Sequence, residues 1–190
     1  MSRSHPGTLV LGLGNPILTD DGVGIHVARV VAARLRSQPD LADGVGFAEA
    51  SVGGLRLLEL LAGYERVILV DAIQTPDGLP GDIYRFSPAE SLGAGGDDPR
   101  SSLDRDYSNT PRRSSYGTMH AGSTHDLSLQ GALAWGRHNG LALPHDNDIL
   151  IVAIEAQDVL TFGETCTPAV AAAIPRAAAT VFGLLKGLNR

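Results

Sequence analysis

The chain has 190 residues, of which 43% are hydrophobic, and this is enough for the core of one compact domain. Its formal net charge of -6 repels phosphate backbones and therefore speaks against a nucleic-acid partner. The only cysteine, Cys166, excludes an intramolecular disulfide and is typical of a protein from a reducing compartment.

In the first part of the chain, short apolar runs alternate with segments in which apolar residues recur at helical spacing. Residues 8–13 (TLVLGL) show no polar alternation and predict a fully buried strand. A helix is expected next, because apolar residues recur there along a single stripe: Val23, Val27, Val30, Val31 and Leu35. Residues 45–50 predict a weaker strand, and the leucine-rich residues 55–61 predict a second helix. The run 66–70 (RVILV) is the clearest buried strand, and we expect it to end at Asp71.

The middle of the chain changes character after a short alternating segment. Residues 82–86 (DIYRF) alternate and follow several turn residues, which predicts an edge strand that can run antiparallel. Between residues 87 and 122, Gly, Ser, Asp, Arg and Pro dominate and hydrophobic periodicity disappears. We expect a mobile insertion there, with poor order from about residue 91 to residue 117.

The last part returns to regular structure. A helix is expected to open at Ser123 or Thr124, and residues 148–154 (DILIVAI) predict the last strong strand. A C-terminal helix is predicted from Pro168, and Pro175 is expected to kink it. No segment is expected to reach the roughly 20 apolar residues that cross a bilayer, and no signal peptide is evident. We therefore expect a cytoplasmic protein without a membrane partner.

This order of elements predicts a single domain spanning residues 1–190, with the insertion at about 87–122. The predicted fold is a three-layer α/β/α sandwich, in which a mostly parallel, twisted sheet of about five strands carries helices on both faces. Ligands of such sheets gather at the carboxyl ends of the strands. The candidate site is therefore sought where a strand meets the following helix or loop.

Three polar sets lie at such positions. Asp20 and Asp21 follow the first strand in the segment GLGNPILTDDGVG, Asp71 ends the run VILV, and His125 opens the helix of the segment STHDLSL. Carboxylate oxygens and an imidazole nitrogen suit a borderline divalent cation such as nickel or zinc. A helix N-terminus also disfavours imidazolium, which keeps His125 able to bind a metal. Each residue has a structural alternative, since an Asp at a helix start is often a cap and a lone His is often structural.

These segments resemble the maturation proteases of NiFe-hydrogenases, which trim the C-terminus of the hydrogenase large subunit. The segment GLGNPILTDDGVG is similar to the family's glycine-rich turn with an acidic pair, and Asp21 matches its metal-ligand position. Asp71 and His125 match the second and third ligands. The glycine pair Gly53–Gly54 before leucines and the helix start TPAV at residues 167–170 extend the resemblance over roughly residues 9–185.

The resemblance implies an endopeptidase that cuts the precursor of the large subunit only after nickel insertion. Asp21, Asp71 and His125 would then contact nickel that the substrate supplies, although zinc or cadmium could occupy such a site in a crystal. Asp20 is a further catalytic candidate that could orient a group or accept a proton, with capping as its alternative. A non-catalytic, chaperone-like protein that binds the same precursor is the alternative function.

Two departures from the family pattern stand out. Glu49 replaces the Asp that the family commonly has at the end of the second strand, and the insertion at residues 87–122 is longer than expected. Glu49 could replace that carboxylate at longer reach, and its role stays open. For the insertion, the alternatives are no part in the chemistry or a contact that grips a particular hydrogenase.

Three other enzyme classes fit the sequence poorly. Peptidyl-tRNA hydrolases share GLGNP but need a further Gly where this chain has Ile17. A dinucleotide-binding enzyme needs the motif GxGxxG, and its third glycine would fall at Ile17. The acidic pair Asp20 and Asp21 would also face the negatively charged pyrophosphate of the cofactor, which is electrostatically unfavourable. A cysteine protease built on Cys166 and His125 is the third alternative, because a nearby helix start can lower a thiol pKa.

Overall fold

The computed structural model describes residues 7–88 and 129–188. The strands are β1 (Thr8–Leu13), β2 (Val45–Ala50), β3 (Arg66–Ile73), β4 (Ile83–Phe86) and β5 (Ile149–Glu155). The helices are α1 (Val23–Leu35), α2 (Pro39–Ala42), α3 (Leu55–Leu61), α4 (Leu129–His138) and α5 (Pro168–Leu188). Two 3-10 helices span Thr19–Gly22 and Asp146–Asp148.

The strands form a five-stranded sheet in the order β2-β1-β3-β5-β4. β1 pairs in parallel with β2 and β3, and β3 pairs in parallel with β5. β4 closes one edge in the antiparallel direction, with Ile83 opposite Ile154 and Phe86 opposite Ile151. The predicted α/β fold, with its mostly parallel sheet and antiparallel edge strand, is confirmed.

Helices cover both faces of the sheet because alternate strand residues point to opposite sides. On one face, α1 and α5 pack over a core that includes Val10, Ile68 and Val152. On the other face, α3 and α4 pack over a core that includes Leu11 and Leu69. The three layers therefore follow from apolar strands that are buried on both sides.

Helix α1 is positioned by close contact between backbones. A Cβ on Gly12 would lie 2.6 Å from the carbonyl oxygen of Gly24, and a Cβ on Gly24 would overlap the carbonyl oxygens of Leu13 and Val70. The absence of both side chains lets the start of α1 rest directly on β1 and β3. The connection between β1 and α1 is thereby held at the carboxyl ends of these strands.

Helix α5 corrects the expectation that no segment is long and apolar enough to cross a membrane. Its 21 residues have a mean hydropathy of 1.5 and pass that test by length and composition. The helix nevertheless packs on the sheet through one buried stripe: Val170, Ala173, Ala177, Ala178, Val181, Phe182 and Leu185. Such a stripe is typical of a core helix in a globular domain. The helix also continues through Pro175.

Other sequence predictions need smaller corrections or fall outside the described residues. Val30 differs from the expectation that it belongs to the apolar stripe of α1: it is 41% exposed, because it lies beside the stripe rather than within it. β3 continues to Ile73 instead of ending at Asp71, since its pairing with β5 extends to Ile73 opposite Glu155. Most of the predicted insertion at 87–122 and the predicted helix start at Ser123 or Thr124 lie outside the described residues.

Candidate functional site

Asp21 lies in the 3-10 helix between β1 and α1. Its backbone N–H donates to the carbonyl oxygen of Leu18 at 2.9 Å, and its Oδ2 accepts the N–H of Asn15 at 2.7 Å. Gly14 makes this turn possible, because its φ of 128° is one that other residues rarely adopt and a Cβ there would overlap the carbonyl oxygen of Asp21. The glycine-rich turn therefore holds the Asp21 carboxylate in a defined position after β1.

Asp71 lies inside β3, opposite Ala153 of β5 and beyond the last residue of β3 that pairs with β1. The side chain is completely buried, and its Oδ1 accepts the N–H of Ala72 at 2.8 Å. By strand alternation it points to the face that carries α3 and α4, as do its neighbours Leu69 and Ile73. Burying a carboxylate is costly, so this position indicates a role beyond packing.

The fold brings Asp21 and Asp71 to the same edge of the sheet. The 3-10 helix that contains Asp21 packs against β3, and the following α1 backbone touches the carbonyl of Val70. Two oxygen-donor side chains therefore share the carboxyl edge of the strands, which is where α/β proteins bind ligands. The sequence alone placed each residue at a strand end; the tertiary structure makes the two ends neighbours.

His125, the third predicted metal ligand, lies outside the described residues. Within residues 7–88 and 129–188, no three His, Cys, Asp or Glu side chains are grouped as a metal site would require. The set of Asp21, Asp71 and His125 therefore stays a prediction. Carboxylate oxygens are nevertheless suitable donors for a divalent cation, so the two described members fit that chemistry.

Asp20 has different contacts from its neighbour Asp21. Its side chain is completely buried and accepts four hydrogen bonds across the molecule. Oδ2 accepts the N–H groups of Gln157 at 2.9 Å and Asp158 at 3.0 Å and the hydroxyl of Thr167 at 2.9 Å, while Oδ1 accepts the N–H of Thr167 at 2.6 Å. These contacts join the turn after β1 to the loop after β5 and to the start of α5. Neither the 3-10 helix nor α1 has a side-chain hydrogen bond at its N-cap, so Asp20 does not cap the helix start as its structural alternative supposed. Its contacts instead tie three distant segments together, and its catalytic role stays a prediction.

Glu155, at the end of β5, is a third buried carboxylate on this edge, after Asp71 and Asp20. Its Oε1 accepts the N–H of Thr75 at 2.6 Å and its Oε2 accepts the hydroxyl of Thr75 at 3.0 Å. Burial and the nearby charge of Glu155 raise the pKa of Tyr84 to about 12. The backbone of Glu155 also bonds to Gly81 and Asp82. Glu155 thus anchors the loop between β3 and β4.

Glu49, which departs from the family pattern, forms an ion pair with Arg29 of α1. The Arg29 Nε donates to Oε1 at 2.9 Å, and its Nη2 donates to Oε2 at 2.7 Å. Both side chains are exposed, at 53% for Arg29 and 40% for Glu49. The hydrogen bond that Arg29 donates to Glu49 raises the pKa of Arg29. This pairing gives Glu49 a surface contact between β2 and α1.

Cys166 does not have the environment of a catalytic thiol. Burial, together with the charge of Asp20, raises its pKa to about 11. Its Sγ lies 3.6 Å from the carbonyl oxygen of Thr19, which it contacts as a weak donor. A nucleophilic cysteine needs a lowered pKa, so these surroundings speak against the cysteine-protease alternative.

Several solved structures share this fold over nearly the whole chain. The hydrogenase maturating endopeptidase HybD of Escherichia coli is 24% identical, with a TM-score of 0.64 over 95% of this chain and 92% of that one. The solution structure of an endopeptidase from Escherichia coli gives 23% identity and a TM-score of 0.65 with the same coverage. The NiFe-hydrogenase maturation protease HybD of Thermococcus kodakarensis is 21% identical, with a TM-score of 0.56 over 94% and 98% of the two chains. The chain therefore has the fold of the hydrogenase maturation endopeptidases.

Sequence comparison points to the same group of proteins. The hydrogenase 2 maturation protease of Escherichia coli strain K12 is 33% identical over 75 residues. The matched stretch covers 40% of this chain and 43% of that protein. No family model matches the sequence.

Proposed function

We propose that this protein is a cytoplasmic endopeptidase that removes the C-terminal extension of a NiFe-hydrogenase large-subunit precursor after nickel insertion. The observation that carries the proposal is the pair of carboxylates, Asp21 and Asp71, at one edge of a fold shared with hydrogenase maturation endopeptidases. The matched relative is itself named as a hydrogenase 2 maturation protease.

The two carboxylates suit a cation that arrives with the substrate. Each is held by a backbone N–H, from Asn15 for Asp21 and from Ala72 for Asp71, so their positions are fixed before the substrate binds. Preorganised charges need little rearrangement when a charged partner arrives. In this proposal Asp21, Asp71 and the sequence-predicted ligand His125 contact the nickel of the precursor and complete its coordination.

Recognition of nickel explains how the enzyme would distinguish finished from unfinished precursors. A nickel-free precursor offers no cation to the buried Asp71 carboxylate and therefore gains no electrostatic attraction there. A nickel-loaded precursor supplies the opposite charge and is bound more tightly. The ion is also a Lewis acid, which can polarise a scissile carbonyl or activate a water molecule. The protein contributes the fixed carboxylates that place the ion next to the bond.

The test is cleavage of a nickel-loaded and a nickel-free large-subunit precursor, followed by mass spectrometry of the C-terminal fragment. Only the loaded precursor should be cut. Asp21→Asn, Asp71→Asn and His125→Ala should each slow cleavage at least about 100-fold, because even residues that support a metal ligand cost 10–100-fold when changed. Asp43→Asn is the matched control, since Asp43 is an exposed acid just before β2, at the opposite edge of the sheet.

The variants also need a check of folding by circular dichroism, because Asp71 is buried. A folded Asp21 or Asp71 variant that cleaves at the wild-type rate would remove that residue from the site. A wild-type protein that binds the loaded precursor but never cuts it would favour the chaperone-like alternative.

A further inference from the structure

Two loops at the carboxyl edge of the sheet expose large apolar side chains. Ile17, in the loop after β1, is 50% exposed, and Leu160 and Phe162, in the loop after β5, are 83% and 80% exposed. We call these three residues the two-loop apolar surface. Side chains of this size exposed so fully beside a candidate site are typical of a surface that another molecule covers.

The two loops are firmly attached to each other. Leu18 and Phe162 form an antiparallel β-bridge, and the N–H of Gly163 donates to the carbonyl oxygen of Ile17 at 3.0 Å. The hydroxyl of Thr19 donates to the carbonyl oxygen of Asp158 at 2.6 Å. The N–H of Asp20, next to Asp21, donates to the same oxygen at 3.0 Å. The apolar surface and the candidate site are therefore parts of one hydrogen-bonded unit.

The loop after β5 also satisfies its own polar groups. The Oδ1 of Asp158 accepts the N–H groups of Leu160 and Thr161, both at 2.9 Å. With these amides bonded internally, the loop is ordered while the side chains of Leu160 and Phe162 face solvent. A surface that is ordered before binding loses little conformational entropy when a partner covers it.

The charges around this surface indicate what kind of partner it fits. Three of the segments at this edge, residues 14–22, 71–82 and 155–167, contain no Lys or Arg in their sequence. The one cation that the described contacts bring to them is Arg176 of α5, which donates to the carbonyl oxygen of Gly81 at 2.9 Å. The same segments carry these acidic residues: Asp20, Asp21, Asp71, Asp77, Asp82, Glu155, Asp158 and Glu164. A second copy of this chain would bring the same negative charge to the interface and be repelled. Charge complementarity instead favours a partner with basic side chains.

We infer that the two-loop apolar surface is the docking surface for the polypeptide substrate, which covers it with an apolar segment flanked by Lys or Arg. This inference rests on the proposed function, because it places the substrate beside Asp21. Leu160 and Phe162 provide the apolar contact, and the acidic residues of the edge attract the flanking basic residues. Docking places the substrate next to the candidate site, because the carbonyl oxygen of Asp158 in this loop is hydrogen-bonded to Thr19 and Asp20, beside Asp21.

The first experiment compares wild-type protein with the Leu160→Ser/Phe162→Ser double variant, using the nickel-loaded large-subunit precursor. We measure the dissociation constant by biolayer interferometry, together with KM and kcat. Loss of two exposed apolar contacts should raise KM and the dissociation constant at least about tenfold and leave kcat within about twofold. Leu141→Ser is the matched control: Leu141 is 38% exposed but precedes β5, at the opposite edge of the sheet, so it should change neither constant.

The second experiment tests the basic segment of the partner through Glu164→Lys. This variant should weaken precursor binding several-fold at low ionic strength, and the difference should shrink at 0.5 M salt because charges are then screened within a few ångströms. Unchanged binding at low salt would overturn the charge argument. Sedimentation analysis of the wild-type protein adds a further check, since a dimer that the double variant abolishes would assign the surface to a second copy.

Failure of this inference is distinguishable from failure of the proposed function. If the wild-type protein cuts the precursor and the double variant has wild-type KM, the docking surface is wrong and the proposed function stands. If the wild-type protein binds without cutting, the dissociation constants still test the docking surface. If it neither binds nor cuts, both proposals are overturned.

Discussion

Replacing Asp20 by alanine should destabilise the fold more strongly than any other single acidic substitution in the loop after β1. The change removes an acceptor from the N–H groups of Gln157, Asp158 and Thr167 and from the Thr167 hydroxyl. An unsatisfied buried donor costs about 1–3 kcal/mol, but water can reach some of these donors because Gln157 is exposed. We therefore expect a loss of about 3–5 kcal/mol in the free energy of unfolding, which lies at the high end for single substitutions.

This loss is measurable by urea unfolding followed by circular dichroism. For a chain of this length it corresponds to a fall in Tm of roughly 6–20 °C. Asp77→Ala is the control, because Asp77 is exposed and should change the free energy by less than about 0.5 kcal/mol. Thr167→Val removes only one of the four donors and should fall between the two. If the free energy of unfolding of Asp20→Ala lies within about 1 kcal/mol of the wild-type value, Asp20 does not stabilise the contact between the three segments, and the reasoning is refuted.

Two further predictions follow from pKa values. Because the pKa of Cys166 is raised to about 11, iodoacetamide should modify it much more slowly at pH 8 than it modifies free cysteine. The Cys166→Ser variant should retain cleavage activity. Rapid labelling of Cys166, or loss of activity in this variant, would support the cysteine-protease alternative. The pKa of Tyr84 is about 12 in the folded state and ordinarily 10 in the unfolded chain. The stability that this shift provides is complete below pH 10 and is lost as the pH rises towards 12, because the unfolded state deprotonates first. In the Tyr84→Phe variant, the free energy of unfolding measured with urea should therefore fall less steeply between pH 10 and pH 12 than in the wild-type protein. The same pH dependence in both proteins would contradict the raised pKa of Tyr84.

Much of the fold could be predicted from the sequence because its elements follow simple periodicities. The runs TLVLGL and RVILV are apolar without alternation, as strands buried on both faces must be. The alternating run DIYRF predicted an edge strand, and β4 lies at an edge. The end of β3 was misplaced because apolar character stops at Asp71, whereas the backbone pairing with β5 continues to Ile73. Hydrophobicity reports burial of side chains and not the limit of a hydrogen-bonded ladder.

The roles of the acidic residues could be predicted only in part. Asp20 and Asp21 are adjacent and chemically identical, so no periodicity distinguishes them. The difference arises from the residues that surround them: Asp20 accepts donors that lie more than 130 positions away in the chain, and Asp21 accepts the N–H of Asn15. Glu49 likewise acquired a role only when α1 brought Arg29 within 2.7 Å.

The sequence by itself determined the alternation of strands and helices, and with it the edge of the sheet at which polar residues collect. It could do so because burial patterns are local and repeat every two residues in a strand or every 3.6 residues in a helix. The tertiary structure decided which of those polar residues meet. It placed the turn with Asp21 against β3, used Asp20 to join three distant segments, and paired the loop of Phe162 with that of Leu18. Such contacts depend on distances between residues that are far apart in the chain, and no local pattern encodes them.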